Sequence, residues 1–290
     1  MKKRILFIIN PISGGKNKLS FPKLADKYLD KSLFEIDCIF SKYVGHTFKV
    51  AKKEIDAGVD VIVAVGGDGT INEVATAVEG SGKVMGIVPG GSGNGLARSL
   101  QIPLNDVAAL KRINNYKIQT IDGGRLNDKK FFNVAGLGFD AHISLVFAKE
   151  HTRGFKSYIK TTLKEISTYK PQHYTIEIDG KTIERNAFMV SIANSTQFGN
   201  NAHISPLASV IDGLLDVCII KPFPLYLFPV LGYRMFFKTA HHSNYVEIIR
   251  GKKIRIVREF ADAVHIDGEP VQMGNEIDIE VMPLSLPVLI

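Results

Sequence analysis

Cysteine is scarce in this 290-residue chain: there are two, Cys38 and Cys218, each inside an apolar run (EIDCIF and LLDVCII). With no CxxC pair, neither a disulfide framework nor a cysteine-bound zinc is expected, and a reducing compartment fits. Long apolar runs are missing too. No stretch reaches the roughly 18 uncharged apolar residues of a membrane-spanning helix. The start, MKKRILFIINP, has too short an apolar segment for a secretory signal, with no cleavage site after it, and reads as a first buried strand. Long Lys/Arg runs and known nucleic-acid reader motifs are absent. The net charge of +7 is therefore expected to face phosphates or an anionic membrane rather than nucleic acid. HExxH does not occur, and the eight histidines show no ligand spacing.

Several common site motifs fail by one residue. A Walker A loop needs GK[ST], but Gly15-Lys16 is followed by Asn17. A GxGxxG fingerprint fails at Arg98, the third glycine position after Gly93-x-Gly95. A GxSxG nucleophile elbow fails because Asn94 stands where glycine is required after Ser92.

What is present divides in two. Hydrophobic residues make up 45% of the chain, and at about 150 residues per domain two domains are expected. Over the first 120 or so residues strands alternate with helices. Runs 4–9, 34–40, 59–65 and 83–88 read as strands, and 21–29, 47–56, 71–78 and 95–100 as helices. Such alternation implies a parallel sheet in an α/β domain, and the unbroken apolar run VDVIVAV marks a strand covered on both faces. Beyond residue 122 the runs FFNVAGLGF, YTIEIDG, RNAFMVSIAN, LLDVCII, YVEIIRG, KKIRIVRE and VHIDGEP are β-rich and punctuated by turns. They predict an antiparallel second domain with one helical insert near 154–168. The tail 277–290, with two prolines, reads as an edge or terminal strand.

Two successive units share one design. VDVIVAV runs into Gly66-Gly67-Asp68-Gly69-Thr70 and a helix, and VMGIV runs into Pro89-Gly90-Gly91-Ser92-Gly93-Asn94 and a helix. Glycine at a strand-to-helix turn lets backbone N–H groups approach an anion, and the helix dipole favours negative charge there. The polar turn Asn10–Lys16 follows the first strand and is expected on the same edge. Asp68 fits two roles, a Mg²⁺-holding carboxylate or the N-cap of its own helix. His265-Ile266-Asp267-Gly268-Glu269-Pro270 is a tight turn between β runs. Four other Asp-Gly pairs (Asp68, Asp122, Asp179 and Asp212) show that spacing alone does not single it out. The segment KPFPLYLFPVLGYRMFFK, Lys221–Lys238, is apolar and aromatic with basic ends. It suits either a bilayer surface or a short helix packed on the β domain.

With NPISGG at 10–15, GGDGTINE at 66–73, GGSGNGLA at 90–97, GFDA at 138–141, DGLLDV at 212–217 and DGEP at 267–270, the chain resembles the diacylglycerol kinase catalytic-domain family. The resemblance spans nearly the whole chain. It implies an α/β nucleotide-binding domain of the NAD kinase/diacylglycerol kinase type over 1–121, with the terminal strand 281–290 a candidate addition. An antiparallel β-sandwich over 122–280 follows, with the active site in the cleft between. It implies an ATP-dependent lipid kinase using Mg²⁺, acting on a lipid alcohol at a membrane surface, cytoplasmic and peripheral, with a homodimer allowed. ATP would lie along Asn10, Pro11, Ile12, Ser13, Gly14, Ser41, Gly66, Gly67, Asp68, Gly69, Thr70, Ile71, Asn72, Glu73, Ser92, Gly93 and Asn94. Asp267 or Glu269 would accept the proton, Asp68 and Asp122 would hold the catalytic metal, and Ser209, Asp212 and Leu214 match a structural Mg²⁺ site. Many bacterial diacylglycerol kinases carry Asp after the loop Asn, where this chain has Gly95. The GSGNGLA form is similar to that of sphingosine kinases, which widens the expected substrates to sphingoid bases and other lipid alcohols. Competing readings are an NAD kinase, which shares GGDG, and a non-catalytic nucleotide- or lipid-binding regulator.

Overall fold

The structure, a computed structural model, describes residues 2–15, 17–149 and 155–290. Lys16 and Gly154, the ends of an expected turn and of the expected helical insert, lie outside them. The chain forms two compact units, Met1–Ile121 with Leu284–Ile290, and Asp122–Pro283.

The first unit is built from β1 (Lys3–Ile9), α1 (Phe21–Tyr28), β2 (Phe34–Phe40), α2 (His46–Asp56), β3 (Val61–Gly66), α3 (Asp68–Val78), β4 (Val84–Pro89), α4 (Gly95–Ser99) and α5 (Asp106–Ile113). Its strands pair in parallel in the order β2-β1-β3-β4. β3 is buried at all six positions and the last five residues of β1 are buried, so both faces of the sheet are covered. Each fully buried Val or Ile contributes roughly 1.5–3 kcal/mol. The sheet grows from β1 in opposite directions, to β2 and to β3. The carboxyl end of β1 is therefore a topological switch point, where α/β sheets place ligands. Helix α5 was not read from the sequence; Asn105 caps it by accepting the Ala108 N–H at 3.1 Å.

The second unit contains β5 (Ile118–Leu126), β6 (Lys129–Phe131), β7 (Val134–Gly138), α6 (Phe139–Lys149), α7 (Phe155–Glu165), β8 (Gln172–Ile178), β9 (Lys181–Ala187), β10 (Met189–Ala193), β11 (Leu215–Ile220), α8 (Phe228–Phe236), β12 (Val246–Gly251), β13 (Lys253–Arg258), β14 (Asp262–Ile266), β15 (Glu269–Met273) and β16 (Glu276–Leu289). One antiparallel sheet runs β12-β11-β10-β7-β14-β15. In the other, β9, β8, β13 and the first part of β16 are antiparallel neighbours. Alternate residues of both sheets meet in one core: Tyr174, Ile176 and Ile178, Ile254 and Ile256, and Ile277 and Ile279 against Val190, Ile192, Val217, Ile219, Val264 and Ile266. That period of two is the signature of a sandwich. Phe139, Ile143 and Leu231 from helices, with Ile166 just after α7, cover the other face of the six-stranded sheet, packed on Met189, Cys218 and Ile220.

Two expectations change. The run through Phe139 does not stay β, because Gly138 at φ 87° turns the chain into α6. The tail, expected as an edge or terminal strand, is the terminal strand but lies inside its sheet. β16 pairs with β13 and also with β5, and its end, Val288, pairs in parallel with Met85 of β4. The strand bends at Leu284, φ 43°, just after Pro283, where it passes from one unit to the other.

Candidate active site

In the first unit, three glycine loops leave the carboxyl ends of β1, β3 and β4 and touch backbone to backbone. A Cβ on Gly14 would lie 2.1 Å from the Gly90 carbonyl oxygen, and one on Gly91 2.6 Å from the Gly67 Cα. Gly90 N–H donates to the Gly66 carbonyl at 2.6 Å. No residue with a side chain fits these positions without moving the loops apart.

Polar side chains lock the cluster. Asn10 Nδ2 donates to Thr70 Oγ1 at 3.1 Å, joining the first loop to the second. Asn94, left-handed at φ 53°, accepts from Gly91 N–H at 2.9 Å and donates to the Gly91 carbonyl at 2.8 Å. Asp68 does not cap its own helix, whose N-cap is Gly67. Its carboxylate instead accepts Asn94 N–H at 2.9 Å and Gly95 N–H at 2.8 Å, closing the start of α4. Glu73 does the same for α2, accepting Gly45 N–H at 2.8 Å and Phe48 N–H at 3.2 Å. Two acidic residues of α3 thus satisfy the orphan amides of two neighbouring helices. Ser41 joins the same edge through its N–H on the Ile9 carbonyl at 2.8 Å, whereas Ser92 and Ile12 project to solvent.

Lys18 was missed by sequence reasoning. It is 5% exposed, and its ammonium donates to the carbonyl and hydroxyl of Ser13, both at 2.5 Å, and reaches the Gly90 carbonyl at 3.4 Å. A buried cation thereby ties the first loop to the third. Nothing in GGKNKLS distinguishes this lysine from its neighbour Lys16.

In the second unit, Asp267 and Gly268 turn β14 into β15 with φ 49° and 90°, the left-handed pair of a type I′ hairpin. The Asp267 carboxylate is buried and accepts three amides: Phe132 N–H at 3.0 Å, Asn133 N–H at 2.9 Å and Val134 N–H at 3.1 Å. Glu269, two residues on, is exposed. Behind the turn, His265 Nε2 lies 3.2 Å from Asp140 Oδ2, which also accepts the Ser191 hydroxyl at 2.7 Å. Gly268 N–H donates to His265 Nδ1 at 3.3 Å, so Nε2 carries the ring proton.

Asp122, expected to hold the catalytic metal, falls in this unit beside the residues expected around a structural Mg²⁺. Asp122 is fully buried; it accepts Gly213 N–H at 2.8 Å and its own N–H donates to the Val210 carbonyl at 2.6 Å. Ser209 and Asp212 shape the same turn, through Ile211 N–H at 3.4 Å and Leu214 N–H at 3.1 Å. Among the described residues no three His, Cys, Asp or Glu side chains group as a metal site. The donors gathered here, the Asp122 and Asp212 carboxylates and the backbone of the 209–214 turn, are of the kind Mg²⁺ takes: one or two carboxylates with carbonyls, water and phosphates. The glycine cluster suits ATP for its own reason: bare backbone at a switch point lets phosphates approach.

Residues 4–126 match the family described as diacylglycerol kinase catalytic domain, and residues 133–290 match the YegS C-terminal NAD kinase beta sandwich-like domain. The chain belongs to the diacylglycerol kinase catalytic-domain family. It is 31% identical to a Klebsiella pneumoniae protein named "Probable lipid kinase YegS-like", over 83% of this chain and 82% of that one. A crystal structure of a diacylglycerol kinase from Bacillus anthracis shares the fold, with TM-score 0.76, 22% identity, and 99% and 96% of the two chains covered. So does an NAD kinase from Archaeoglobus fulgidus solved with ATP, at TM-score 0.55, 16% identity, and 99% and 93% coverage. Family membership makes this kinase member a phosphotransferase.

Proposed function

We propose that the protein transfers the γ-phosphoryl group of ATP to the hydroxyl of a membrane lipid. The observation that carries ATP as donor is the backbone contact of Gly14 with Gly90 and Gly67 with Gly91, a surface stripped of side chains at the switch point of the sheet. The lipid acceptor is supported by the relatives' names. In this reading Asn10–Gly14, Ser41, Gly66–Glu73 and Ser92–Asn94 hold the nucleotide. Asp68 and Asp122 are the proposed carboxylates for Mg²⁺, which would offset charge on the transferring phosphoryl group; the 209–214 turn would hold a structural one.

Asp267 and Glu269 divide the work of the DGE turn. Asp267, committed to three amides, fixes the turn, while Glu269 is exposed and can take a proton from a lipid hydroxyl. As the new O–P bond forms, the bond to the β-phosphate bridging oxygen breaks and the hydroxyl proton passes to Glu269. No helix among the described residues is long and apolar enough to cross a membrane, so the lipid would be met at the bilayer surface.

The test is transfer of labelled phosphate from ATP to diacylglycerol, a sphingoid base, ceramide, monoacylglycerol and phosphatidylglycerol in mixed micelles, with NAD as a soluble control. Label in a lipid supports the proposal and names the substrate. Label in NAD alone refutes it in favour of an NAD kinase, and no label in any acceptor refutes it in favour of a binding protein.

A further inference from the structure

Helix α8 has two apolar sides. Phe228, Leu231 and Met235 pack inward on the core beneath the six-stranded sheet. Tyr226 in the 3₁₀ turn leading into α8, Val230 and Tyr233 on the helix and Phe237 at its C-cap follow one another at three- and four-residue spacing and point the other way, 78%, 47%, 59% and 61% exposed. Tyr233 and Phe237 stack on each other with ring centroids 4.2 Å apart. Leu225 extends the stripe at 49% exposure. The core therefore needs only the inner side, and burial in the fold does not account for the outer one. A contiguous apolar face of this kind on a soluble domain marks a surface that meets something else.

Charge selects the occupant. From Val217 to Tyr245 there is no Asp or Glu, while Lys221, Arg234 and Lys238 are present. Lys221 is matched by Glu247 at 3.1 Å. Arg234 reaches only the Thr239 carbonyl, at 3.4 Å, and Lys238 is exposed. Neither forms an ion pair among the described residues. Aromatic and aliphatic side chains rimmed by unmatched cations are the chemistry of a helix lying in the headgroup region of an anionic bilayer. A second copy fits less well. A twofold contact puts each patch on itself and brings its cations together.

We propose that the outer face of α8, with Tyr226, Val230, Tyr233 and Phe237 as the apolar contact and Arg234 and Lys238 as the headgroup contacts, docks the protein on an anionic phospholipid surface. This rests on the lipid-kinase reading, which supplies the reason for a bilayer-docking face.

The test is co-sedimentation of the full chain with vesicles of phosphatidylglycerol mixed with phosphatidylcholine, beside vesicles of phosphatidylcholine alone. The wild type is expected to bind the anionic vesicles preferentially. The double variant Tyr233→Ser/Phe237→Ser should bind on the order of tenfold more weakly, because two fewer aromatic rings leave water for the bilayer. Arg234→Gln/Lys238→Gln should lose on the order of tenfold at low salt and little at high salt. Both variants keep the buried side of α8, and an unchanged thermal midpoint checks that. Wild type that ignores anionic vesicles, or an aromatic variant that binds like wild type, overturns the proposal. So does a wild-type dimer that the aromatic variant dissociates while vesicle binding is unchanged. Phosphorylation of a short-chain, water-soluble lipid reads the kinase separately. Vesicle binding without any lipid phosphorylation would leave the docking face standing and sink the kinase reading.

Discussion

His265 Nε2 meets Asp140 Oδ2 at 3.2 Å in a space that exists because Gly136 has no side chain; a Cβ there would fall 2.1 Å from that oxygen. The same oxygen takes the Ser191 hydroxyl, and the other side of the imidazole takes the Gly268 N–H. A chain of buried bonds thus runs from α6 to the DGE turn. Asp140→Ala leaves the Ser191 hydroxyl and the His265 Nε2–H without this acceptor, at about 1–3 kcal/mol for each orphaned group. The thermal midpoint should fall by several degrees. Asp140→Asn, which keeps an acceptor oxygen, should recover part of that loss. Equal midpoints for wild type and Asp140→Ala would show that the network holds nothing.

The two carboxylates of the turn separate by readout. Glu269→Gln should lower turnover by about 10²–10⁴-fold, the usual worth of a general base, with the melting curve unchanged because Glu269 is exposed. Asp267→Asn should act first on stability. Its amide nitrogen cannot accept an N–H, so at least one of the three buried amides now on the carboxylate loses its partner. A stable Asp267→Asn with abolished turnover, beside a fully active Glu269→Gln, would reverse the roles.

The loop glycines make a prediction from space alone. Gly14→Ala and Gly91→Ala place a methyl group 2.1 Å and 2.6 Å from backbone of the facing loop. Gly15→Ala meets nothing within 4 Å, although its φ of 67° carries a backbone cost of its own. ATP affinity, measured by calorimetry, should drop steeply for the first two and much less for Gly15→Ala. Equal losses in Gly14→Ala and Gly15→Ala, both at positive φ, with Gly91→Ala spared, would place the effect in backbone strain rather than in the meeting of the loops.

How far the sequence carried the fold depended on the kind of residue. The strands of the first unit are buried on both faces and read as unbroken apolar runs, and the sandwich strands read by alternation, as in Ile254 and Ile256. Helix α6 was hidden because FFNVAGLGF is as apolar as a strand, and only the left-handed Gly138 ends it. The five Asp-Gly pairs show the limit most clearly. Asp179 and Asp267 both sit in hairpins with positive φ, Asp68 opens a helix and Asp122 lies inside a strand. What distinguishes them is which distant amides their carboxylates meet, and contacts between residues so far apart in the chain leave no local pattern. Lys18 is the same case. Its burial depends on Gly90, 72 positions away in the chain.

A pH prediction follows from Glu247, whose carboxyl is held below its ordinary value of 4.5, first by the hydrogen bond from Arg185 and then, against some desolvation, by Lys221. Arg185 reaches its two oxygens at 3.0 and 2.9 Å, and Lys221 Nζ lies 3.1 Å away. Because the folded state binds the proton less readily than the unfolded chain, this contribution is fully present above 4.5 and is lost as the pH falls through the lower, folded value. The pair is partly exposed, so its worth is no more than about 1 kcal/mol. Glu247→Gln should therefore melt slightly below wild type at neutral pH, and the gap should close in acid as wild-type Glu247 takes up its proton. A gap of constant size across that range would mean that the substitution acts through the packing of β12, in which Glu247 lies, and not through the charge.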